Sequence, residues 1–168
     1  MKKPKIKNCI HLIICCIGVF TLSVANGQSS KESKAIATKW IELINKHDSV
    51  GLTALYSDDA KIISPNWEGI KVGQSEVRTV FSRYFSSTPD LQYSIDNIIP
   101  TDTAVIIEYH FFGKLSNPEN TTPDYMRGKK YTLSACTVMA IRKGKIIRQE
   151  SYFDQVAFLK QMGFFEQK

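Results

Sequence analysis

Cysteine is scarce in this sequence of 168 residues, and most of what it has lies at one end. Cys9, Cys15 and Cys16 fall within the first 27 residues, so residues 28–168 keep only Cys136. A single cysteine can form neither an intrachain disulfide framework nor a multi-cysteine zinc site. We therefore expect the rest of the chain to be stabilised by its hydrophobic core, and about 140 residues are enough for one domain.

Acidic residues are absent from the first 27 positions, and this absence accounts for most of the net charge. The whole chain has 22 basic and 16 acidic residues, a formal charge of +6. Four of the lysines (Lys2, Lys3, Lys5 and Lys7) lie in that acid-free segment, which leaves 18 bases against 16 acids in residues 28–168. Such a balance excludes a basic patch of the size that nucleic acids require, so we expect no nucleic-acid partner.

The N-terminal segment has the three parts of a secretory signal peptide. A lysine-rich start precedes an apolar stretch from Leu12 to Leu22, and small residues follow. Either Ser23-Val24-Ala25 or Ala25-Asn26-Gly27 could supply the cleavage site, and we assign residues 1–27 to the signal peptide. An uncleaved anchor is the alternative, because the apolar run with its flanks approaches the roughly 17 residues that can span a bilayer. We predict export to the periplasm or the extracellular space, with membrane contact only transiently through the signal peptide.

The pattern of apolar residues predicts three helices early in the remaining chain. Residues 28–34 are polar and are interpreted as a tether, and a single domain is expected over residues 35–168. Helical spacing runs from Ala35 to Lys46, and Asp48 is placed to cap a short second helix that carries Leu52, Leu55 and Tyr56. A third helix is predicted around the stripe from Val77 to Phe85.

Strands follow, because the apolar period changes to two. One short strand, at Ala60 to Ser64, is predicted earlier, between the second and third helices. A surface loop is predicted from Ser116 to Gly128. Asp154 then precedes a terminal helix at Gln155 to Met162. Longer strands are predicted at Leu91 to Ile99, Ala104 to Lys114, Lys130 to Arg142 and Lys145 to Phe153. These elements predict an α+β domain in which a strongly curved antiparallel sheet folds over the helices.

Five short motifs in this order resemble the NTF2-like superfamily, and within it the SnoaL-like (polyketide cyclase-like) group. They are Trp40 through Asp48, Leu55 through Ala60, Gly69 through Gly73, Gly144-Lys145-Ile146, and Tyr152-Phe153-Asp154 followed by Leu159 through Gly163. The resemblance covers roughly residues 35 to 165. It implies a cone with a mostly apolar pocket between sheet and helices, suited to a small hydrophobic ligand. Because this scaffold hosts isomerases, cyclases and lyases as well as non-catalytic binders, it does not fix an activity.

Ketosteroid isomerisation, one activity of this superfamily, needs a carboxylate base and acidic hydrogen-bond donors. The resemblance places the base at Ser64, a tyrosine donor at Trp40 and an aspartic acid donor near Cys136 or Thr137. All three positions differ here, and a serine hydroxyl is no useful base near neutral pH without an activating partner. This chemistry is therefore not expected.

Polyketide cyclisation, as the resemblance describes it, uses an aspartate around the final strand. The candidate is Asp154, since the neighbouring position is Ser151, and the position of a frequent histidine is Leu115. Asp154 also stands where a strand ends and a helix begins, where aspartate is a favoured N-cap. Both roles remain open for this residue.

Glu108 and His110 share one face of a predicted strand and are the other catalytic candidates. If that face is concave, the pair could transfer protons to and from a ligand. If it is convex, the two residues form a solvated cross-strand pair. We predict no metal site and no cofactor, because His47 and His110 lie on different elements without a ligand cluster.

These residues leave two functions open. The first is an exported domain that binds a small hydrophobic molecule, with acid–base chemistry by Asp154, His110 or Glu108. The second is a non-catalytic binding or dimerisation module. A homodimer is expected in either case. Cys136 is interpreted as a small core residue. The predicted pocket walls are Trp40, Tyr56, Trp67, Phe81, Phe85, Tyr109, Tyr131 and Tyr152.

Overall fold

The computed structural model describes residues 29–166, so the predicted signal peptide at residues 1–27 lies outside the described part. The described chain is an α+β domain with four helices and six strands, which confirms the predicted fold class. The helices are α1 (Ser30–Asn45), α2 (Ser49–Ala54), α3 (Gln74–Ser87) and α4 (Gln155–Gln161). The strands are β1 (Tyr56–Ile63), β2 (Lys71–Val72), β3 (Gln92–Pro100), β4 (Ala104–Lys114), β5 (Lys130–Arg142) and β6 (Lys145–Phe153). Across residues 29–166, no helix has the length and apolar content needed to cross a membrane.

All six strands form one curved sheet in the order β2-β1-β6-β5-β4-β3. Its neighbours are antiparallel except for β1 and β6, which run parallel. The prediction of a wholly antiparallel sheet is therefore wrong at this one pair. Strands joined by a hairpin must be antiparallel, but β1 and β6 are separated by most of the domain and no such constraint applies.

The third helix follows a short strand, as predicted, but the expectation of three N-terminal helices before the sheet is not matched. Two helices, not three, precede the sheet, because α3 follows β1 and β2. The strand β2 was not predicted, since two residues are too few to show an alternating pattern. It lies at the sheet edge, where Lys71 pairs with Ile62 and Val72 pairs with Lys61.

The predicted tether at residues 28–34 is wrong for most of its length, because α1 begins at Ser30. Ser29 caps this helix, and its hydroxyl accepts a hydrogen bond of 3.2 Å from the Glu32 backbone N–H. A serine cap followed three residues later by a glutamate is a capping signal. The second predicted helix ends earlier than expected: Leu55 is the C-cap of α2, and Tyr56 begins β1.

The core lies between the inner face of the sheet and the helices α1 and α3. In β4, the buried residues are Val105, Ile107 and Tyr109, while Glu108 and His110 alternate with them on the outer face. Ridges of large apolar residues on α1 and α3 pack against this inner face. Side chains that point inward from β4, β5 and β6 therefore meet the helices, and the site is built from this layer.

Candidate functional site

A cavity of about 250 Å³ lies between the inner face of the sheet and the helices. Ten of the 21 residues that line it are aromatic: Trp40, Trp67, Phe81, Tyr84, Tyr93, Tyr109, Phe111, Tyr131, Phe153 and Phe158. Its polar lining groups are the hydroxyls and amides of Ser64, Asn66, Ser87, Thr88, Gln149 and Ser151, together with the tyrosine hydroxyls and the indole N–H groups. Among the described residues that line it there is no carboxylate, imidazole, ammonium or guanidinium group.

Five of the eight predicted wall residues line this cavity: Trp40, Trp67, Phe81, Tyr109 and Tyr131. The other three lie elsewhere. Tyr56 is completely buried next to the cavity, and Phe85 stacks on the His47 ring at 4.7 Å. Tyr152 is wrong as a wall residue, because its side chain is on the outer face of β6 and 53% exposed.

Glu108 and His110 lie outside the cavity, on the convex outer face of β4. They do not pair with each other. The Glu108 carboxylate accepts a hydrogen bond of 3.2 Å from the Asn97 side-chain amide, and His110 Nδ1 lies 2.6 Å from the Asp96 carboxylate. Both partners come from the neighbouring strand β3. Glu108 and His110 therefore make cross-strand contacts on the convex face, and they do not face a ligand in the cavity.

Asp154 is also outside the cavity, and its side chain is the N-cap of α4. One carboxylate oxygen accepts a hydrogen bond of 2.9 Å from the Ala157 backbone N–H. This contact satisfies one of the free N–H groups at the start of the helix. The structure therefore places all three acid–base candidates away from the ring-lined cavity.

A chain of buried hydrogen bonds forms the floor of the cavity. The Trp40 indole N–H donates to the Tyr56 hydroxyl across 2.8 Å, and Tyr56 in turn donates to the side-chain oxygen of Gln149. The Gln149 amide nitrogen then donates to the Ser151 hydroxyl across 3.0 Å. This first half of the chain joins α1, β1 and β6.

The second half of the chain consists of three hydroxyl groups. Ser151 lies 2.9 Å from the Thr137 hydroxyl, and Thr137 lies 3.0 Å from the Tyr109 hydroxyl. Thr137 is completely buried, while Ser151 and Tyr109 both line the cavity. We call the six residues Trp40, Tyr56, Gln149, Ser151, Thr137 and Tyr109 the hydroxyl relay.

Burial keeps the tyrosines around this cavity protonated. It raises the pKa of Tyr109 to about 12, and it raises the pKa values of Tyr56 and Tyr84 further. The pKa of Tyr93 is also well above its ordinary value, first because of burial and then because of the neighbouring tyrosines. A phenol with a raised pKa remains a neutral hydrogen-bond donor across the physiological range.

Most of the positions that the family resemblance associates with acids and bases face the cavity or its floor, whereas Asp154 and Cys136 do not. Ser64, Ser151, Leu115 and Trp40 line it, and Thr137 belongs to the relay. The side chains that occupy them are neutral.

The polar floor was not predicted. Gln149 and Ser151 were overlooked because polar residues in a strand suggest a solvent-facing surface. The alternation along β6 could have identified them. Gln149 and Ser151 lie on the same, inward-facing side of the strand as Phe153, whereas Arg148 and Glu150 point outward. Cys136, which was interpreted as a core residue, is only partly buried and lies on the outer face of β5, opposite Glu108 and Tyr152.

A second cavity of about 160 Å³ shares part of its wall with the first, including Trp67, Tyr84 and Leu115. The ion pair between Arg83 of α3 and Glu119 of the loop after β4 lies at this second cavity. The pair is bidentate, and Arg83 Nη2 lies 2.7 Å from Glu119 Oε2. It joins the predicted surface loop to α3 beside the larger cavity.

Solved structures with the same fold are distant in sequence. The described fold superposes on AclR, a candidate hydroxylase from Streptomyces galilaeus, with a TM-score of 0.70 at 15% identity, covering 83% of this chain and 86% of that one. A candidate SnoaL-like polyketide cyclase from Jannaschia sp. CCS1 gives 0.70 at 12% identity, covering 79% and 92%. An LEH-like epoxide hydrolase from M. tuberculosis gives 0.64 at 16% identity, covering 79% and 90%.

Sequence comparison gives the family. No curated protein matches the chain. The family model of the SnoaL-like domain matches residues 37–149, which is more than half of the chain and includes α2, α3 and most of the sheet. Together with the shared fold, this match shows that the chain belongs to the SnoaL-like domain family.

Proposed function

We propose that this domain binds a small, predominantly apolar molecule in the 250 Å³ cavity and that the cavity wall does not perform acid–base catalysis. The observation that carries the proposal is the composition of the wall: aromatic rings, hydroxyls and amides, with no carboxylate or imidazole among the described residues. Ligand pockets are typically apolar with a few placed polar groups, and this cavity has that character.

The absence of catalysis follows from the pKa values that general acids and bases need. A general acid or base works best when its pKa is near the operating pH. The titratable groups in this wall are tyrosines, and burial moves the pKa of Tyr109 to about 12. Glu108, His110 and Asp154 would have to leave their positions outside the cavity to reach a ligand within it.

The names of the related structures support a ligand-binding domain, but they do not identify a reaction for this chain. One is described as a polyketide cyclase candidate and another as an epoxide hydrolase, and both share only the fold with this chain. One scaffold hosts many activities, so function has to be argued from the site.

Native mass spectrometry of the protein purified from its own host tests the proposal. We expect a retained small molecule, and we expect Leu115→Trp, which places a large ring in the wall shared by both cavities, to lose it. Val50→Trp, at an exposed position of α2, is the matched control and should retain the molecule. A protein that retains nothing, and that binds neither indane nor naphthalene in solution, would contradict the binding function.

A homodimer formed through the outer face of the sheet is also proposed. Ile99, Ile106 and Val138 lie in register across β3, β4 and β5, so they form an apolar row on that face. Ile99 and Val138 are exposed, at 44% and 36%. Contiguous exposed apolar residues are typical of protein interaction sites, and a second copy would cover the row.

Export through the N-terminal segment is the third part of the proposal and rests on the sequence pattern of residues 1–27. The mass of the protein recovered from the host's periplasm or medium tests it. We expect a chain that begins after Ala25 or Gly27. Recovery of the full-length chain from the cytoplasmic fraction would contradict export.

A further inference from the structure

Two adjacent phenylalanines face solvent near the C-terminal end of the described residues. Phe164 and Phe165 belong to a short 3-10 turn, Phe164–Glu166, that follows α4. They are 47% and 60% exposed, and their rings pack edge to face at 5.2 Å. Neither of them lines the cavity, whereas Phe158 of α4 does. The turn therefore leaves apolar surface in contact with water, outside the cavity.

Side-chain hydrogen bonds hold this turn against the start of β5. The Gln161 side-chain oxygen accepts a hydrogen bond of 2.8 Å from the Thr132 backbone N–H, and its amide donates one of 3.0 Å to the Thr132 carbonyl oxygen. Gly163 follows with a φ of 81°, and a side-chain carbon at this position would lie 3.6 Å from Lys129 Nζ. Since Phe164 comes directly after Gly163, the exposed rings begin next to the Lys129 ammonium group.

Four lysines lie around the turn. Lys129 and Lys130 are neighbours in the chain, and Lys130 is paired with Lys114 across β5 and β4. Lys160 lies in the last turn of α4, where its carbonyl oxygen accepts a hydrogen bond of 3.0 Å from the Gly163 N–H. All four lysines are exposed, and none of them forms an ion pair within residues 29–166. Their ammonium groups can therefore meet anions from outside the domain.

Acidic residues near the turn do not balance these lysines. Asp90 accepts a hydrogen bond of 2.8 Å from the Lys114 backbone N–H, and Glu166 is the last residue of the turn. Arg127 and Asp124 pair with each other across 3.4 Å, so their charges cancel. The four ammonium groups therefore leave an excess of positive charge beside the exposed rings.

The apolar surface of the turn is too small for a stable protein interface. A phenylalanine side chain offers roughly 200 Å², so two that are about half exposed offer about 200 Å² together. A stable protein–protein interface buries about 800 Å² on each partner. Attachment to a membrane surface needs only two weak signals, namely apolar side chains that enter the headgroup region and basic side chains that meet anionic lipids. Both signals are present at this turn.

We propose that the folded domain attaches to anionic phospholipid bilayers through a C-terminal patch that consists of Phe164, Phe165, Lys114, Lys129, Lys130 and Lys160. The two rings enter the headgroup region, and the lysines contact lipid phosphate groups. This contact belongs to the folded domain and is separate from the transient one predicted for the signal peptide. It requires no ligand in the cavity, so membrane attachment and the proposed binding function can fail independently.

Sedimentation with lipid vesicles tests the proposal. The protein is the mature chain, which contains the whole described domain and lacks the apolar segment of residues 1–27. We expect vesicles made of an equal mixture of phosphatidylglycerol and phosphatidylcholine to bind it at least about tenfold more tightly than vesicles of phosphatidylcholine alone. High salt should weaken binding to the mixed vesicles, because it screens the lysines from the lipid phosphates.

Two double variants separate the apolar contribution from the electrostatic one. Phe164→Ser with Phe165→Ser should weaken binding to the mixed vesicles at least about tenfold, because the side chains that enter the headgroup region are lost. Lys129→Gln with Lys130→Gln should weaken it about 25-fold, since each lysine near an anionic surface contributes about fivefold. It should also reduce the effect of salt. Thermal unfolding checks that each variant is folded, as expected for changes at exposed positions.

Each double variant has a matched control elsewhere on the surface. Ile70→Ser with Val72→Ser removes two apolar side chains of similar exposure at the opposite end of the chain's sheet order, beside β2. Lys31→Gln with Lys34→Gln removes two exposed charges at the start of α1, next to the turn between β3 and β4. Both controls should bind the mixed vesicles within about twofold of the wild type.

Three results would overturn the proposal. The first is equal binding to both kinds of vesicle, or binding to neither. The second is a loss in a control as large as that in its matched variant, which would mean that the patch has no special part in binding. The third is unchanged binding of Phe164→Ser with Phe165→Ser, which would mean that the domain meets anions without entering a bilayer. Native mass spectrometry measures ligand retention separately, so none of these results touches the proposed binding function.

Discussion

Trp40 donates its indole N–H to the Tyr56 hydroxyl across 2.8 Å, and both side chains are almost completely buried. The contact joins α1 to the first strand, and Tyr56 extends it to Gln149 on the last strand. Removing the Tyr56 hydroxyl would leave a buried donor on Trp40 and a buried acceptor on Gln149 without partners. Each such group costs about 1–3 kcal/mol.

Tyr56→Phe is therefore expected to lower the free energy of unfolding by about 2 kcal/mol or more, although it removes a single oxygen atom. Urea unfolding measures the change. Tyr152→Phe is the matched control and should stay within about 0.5 kcal/mol, because Tyr152 is exposed on the outer face. Equal stability of Tyr56→Phe and the wild type would show that the relay contributes nothing to the fold.

The two tryptophans of the chain both line the cavity, so intrinsic fluorescence should report binding directly. A ligand such as 1-indanone is expected to quench the emission of the mature chain. Trp67→Phe should retain part of the quenching through Trp40 and should remain folded, because it removes a donor that has no partner. A ligand detected by calorimetry that leaves both indoles unquenched would place binding outside this cavity.

Buried tyrosines set an upper pH limit for the fold. The pKa values of Tyr56, Tyr84, Tyr93 and Tyr109 are raised by burial, whereas in the unfolded chain they are about 10. Because the unfolded state loses these protons first, the stability they contribute is fully present below about pH 10 and is lost as the pH rises beyond it.

Ligand affinity is accordingly expected to be flat from about pH 6 to about pH 9, and the free energy of unfolding should fall above about pH 10. Urea unfolding at a series of pH values measures the second effect, and tyrosinate absorbance should rise together with the loss of circular dichroism. Ionisation of most tyrosines near pH 10 in a chain that keeps its fold would contradict the raised pKa values.

The ion pair between Arg83 and Glu119 is expected to control how fast a ligand enters and leaves. Both side chains are about half exposed, so Glu119→Gln should change the free energy of unfolding by less than about 1 kcal/mol. It should nevertheless accelerate ligand dissociation, because the pair holds the loop against α3 beside the second cavity. Stopped-flow fluorescence measures the rate.

Asp124→Asn is the control for this prediction. Asp124 pairs with Arg127 within the same loop and does not reach α3. We expect high salt to accelerate dissociation in the wild type and in Asp124→Asn, but not in Glu119→Gln. Identical rates in all three proteins would show that the ligand uses another route.

Val138→Lys should convert the proposed dimer to a monomer, because it places a charge in the apolar row of the outer face. Light scattering of the purified mature chain measures the molecular mass. Val50→Lys changes a more exposed valine, at 59%, in α2 and should leave the dimer intact. A wild-type protein that is monomeric at all concentrations tested would contradict the dimer.

The fold was largely predictable because its long strands alternate clearly. The bounds predicted for β4, β5 and β6 are those of the structure. Local signals failed where the outcome depends on distant contacts: the parallel pairing of β1 with β6, the two-residue edge strand β2, and the start of α1, whose first residues are polar.

The site was only half predictable. Its aromatic walls follow from apolar patterns, but the orientation of β4 could not be read from its sequence, since the outer face also carries Ile106 and Phe112 next to Glu108 and His110. The floor was missed because neutral polar residues such as Thr137 and Gln149 resemble surface residues until their partners on other strands are known.

The parallel contact between β1 and β6 has a consequence for synthesis. Tyr56 and Gln149 are 93 residues apart, and the relay takes members from the first helix, the first strand and the last three strands. Loop closure over such a distance must be completed before these contacts stabilise the fold. The ligand cavity therefore cannot form on a nascent chain until the final strand has left the ribosome, and a chain truncated before Gln149 would have helices and hairpins but no binding site.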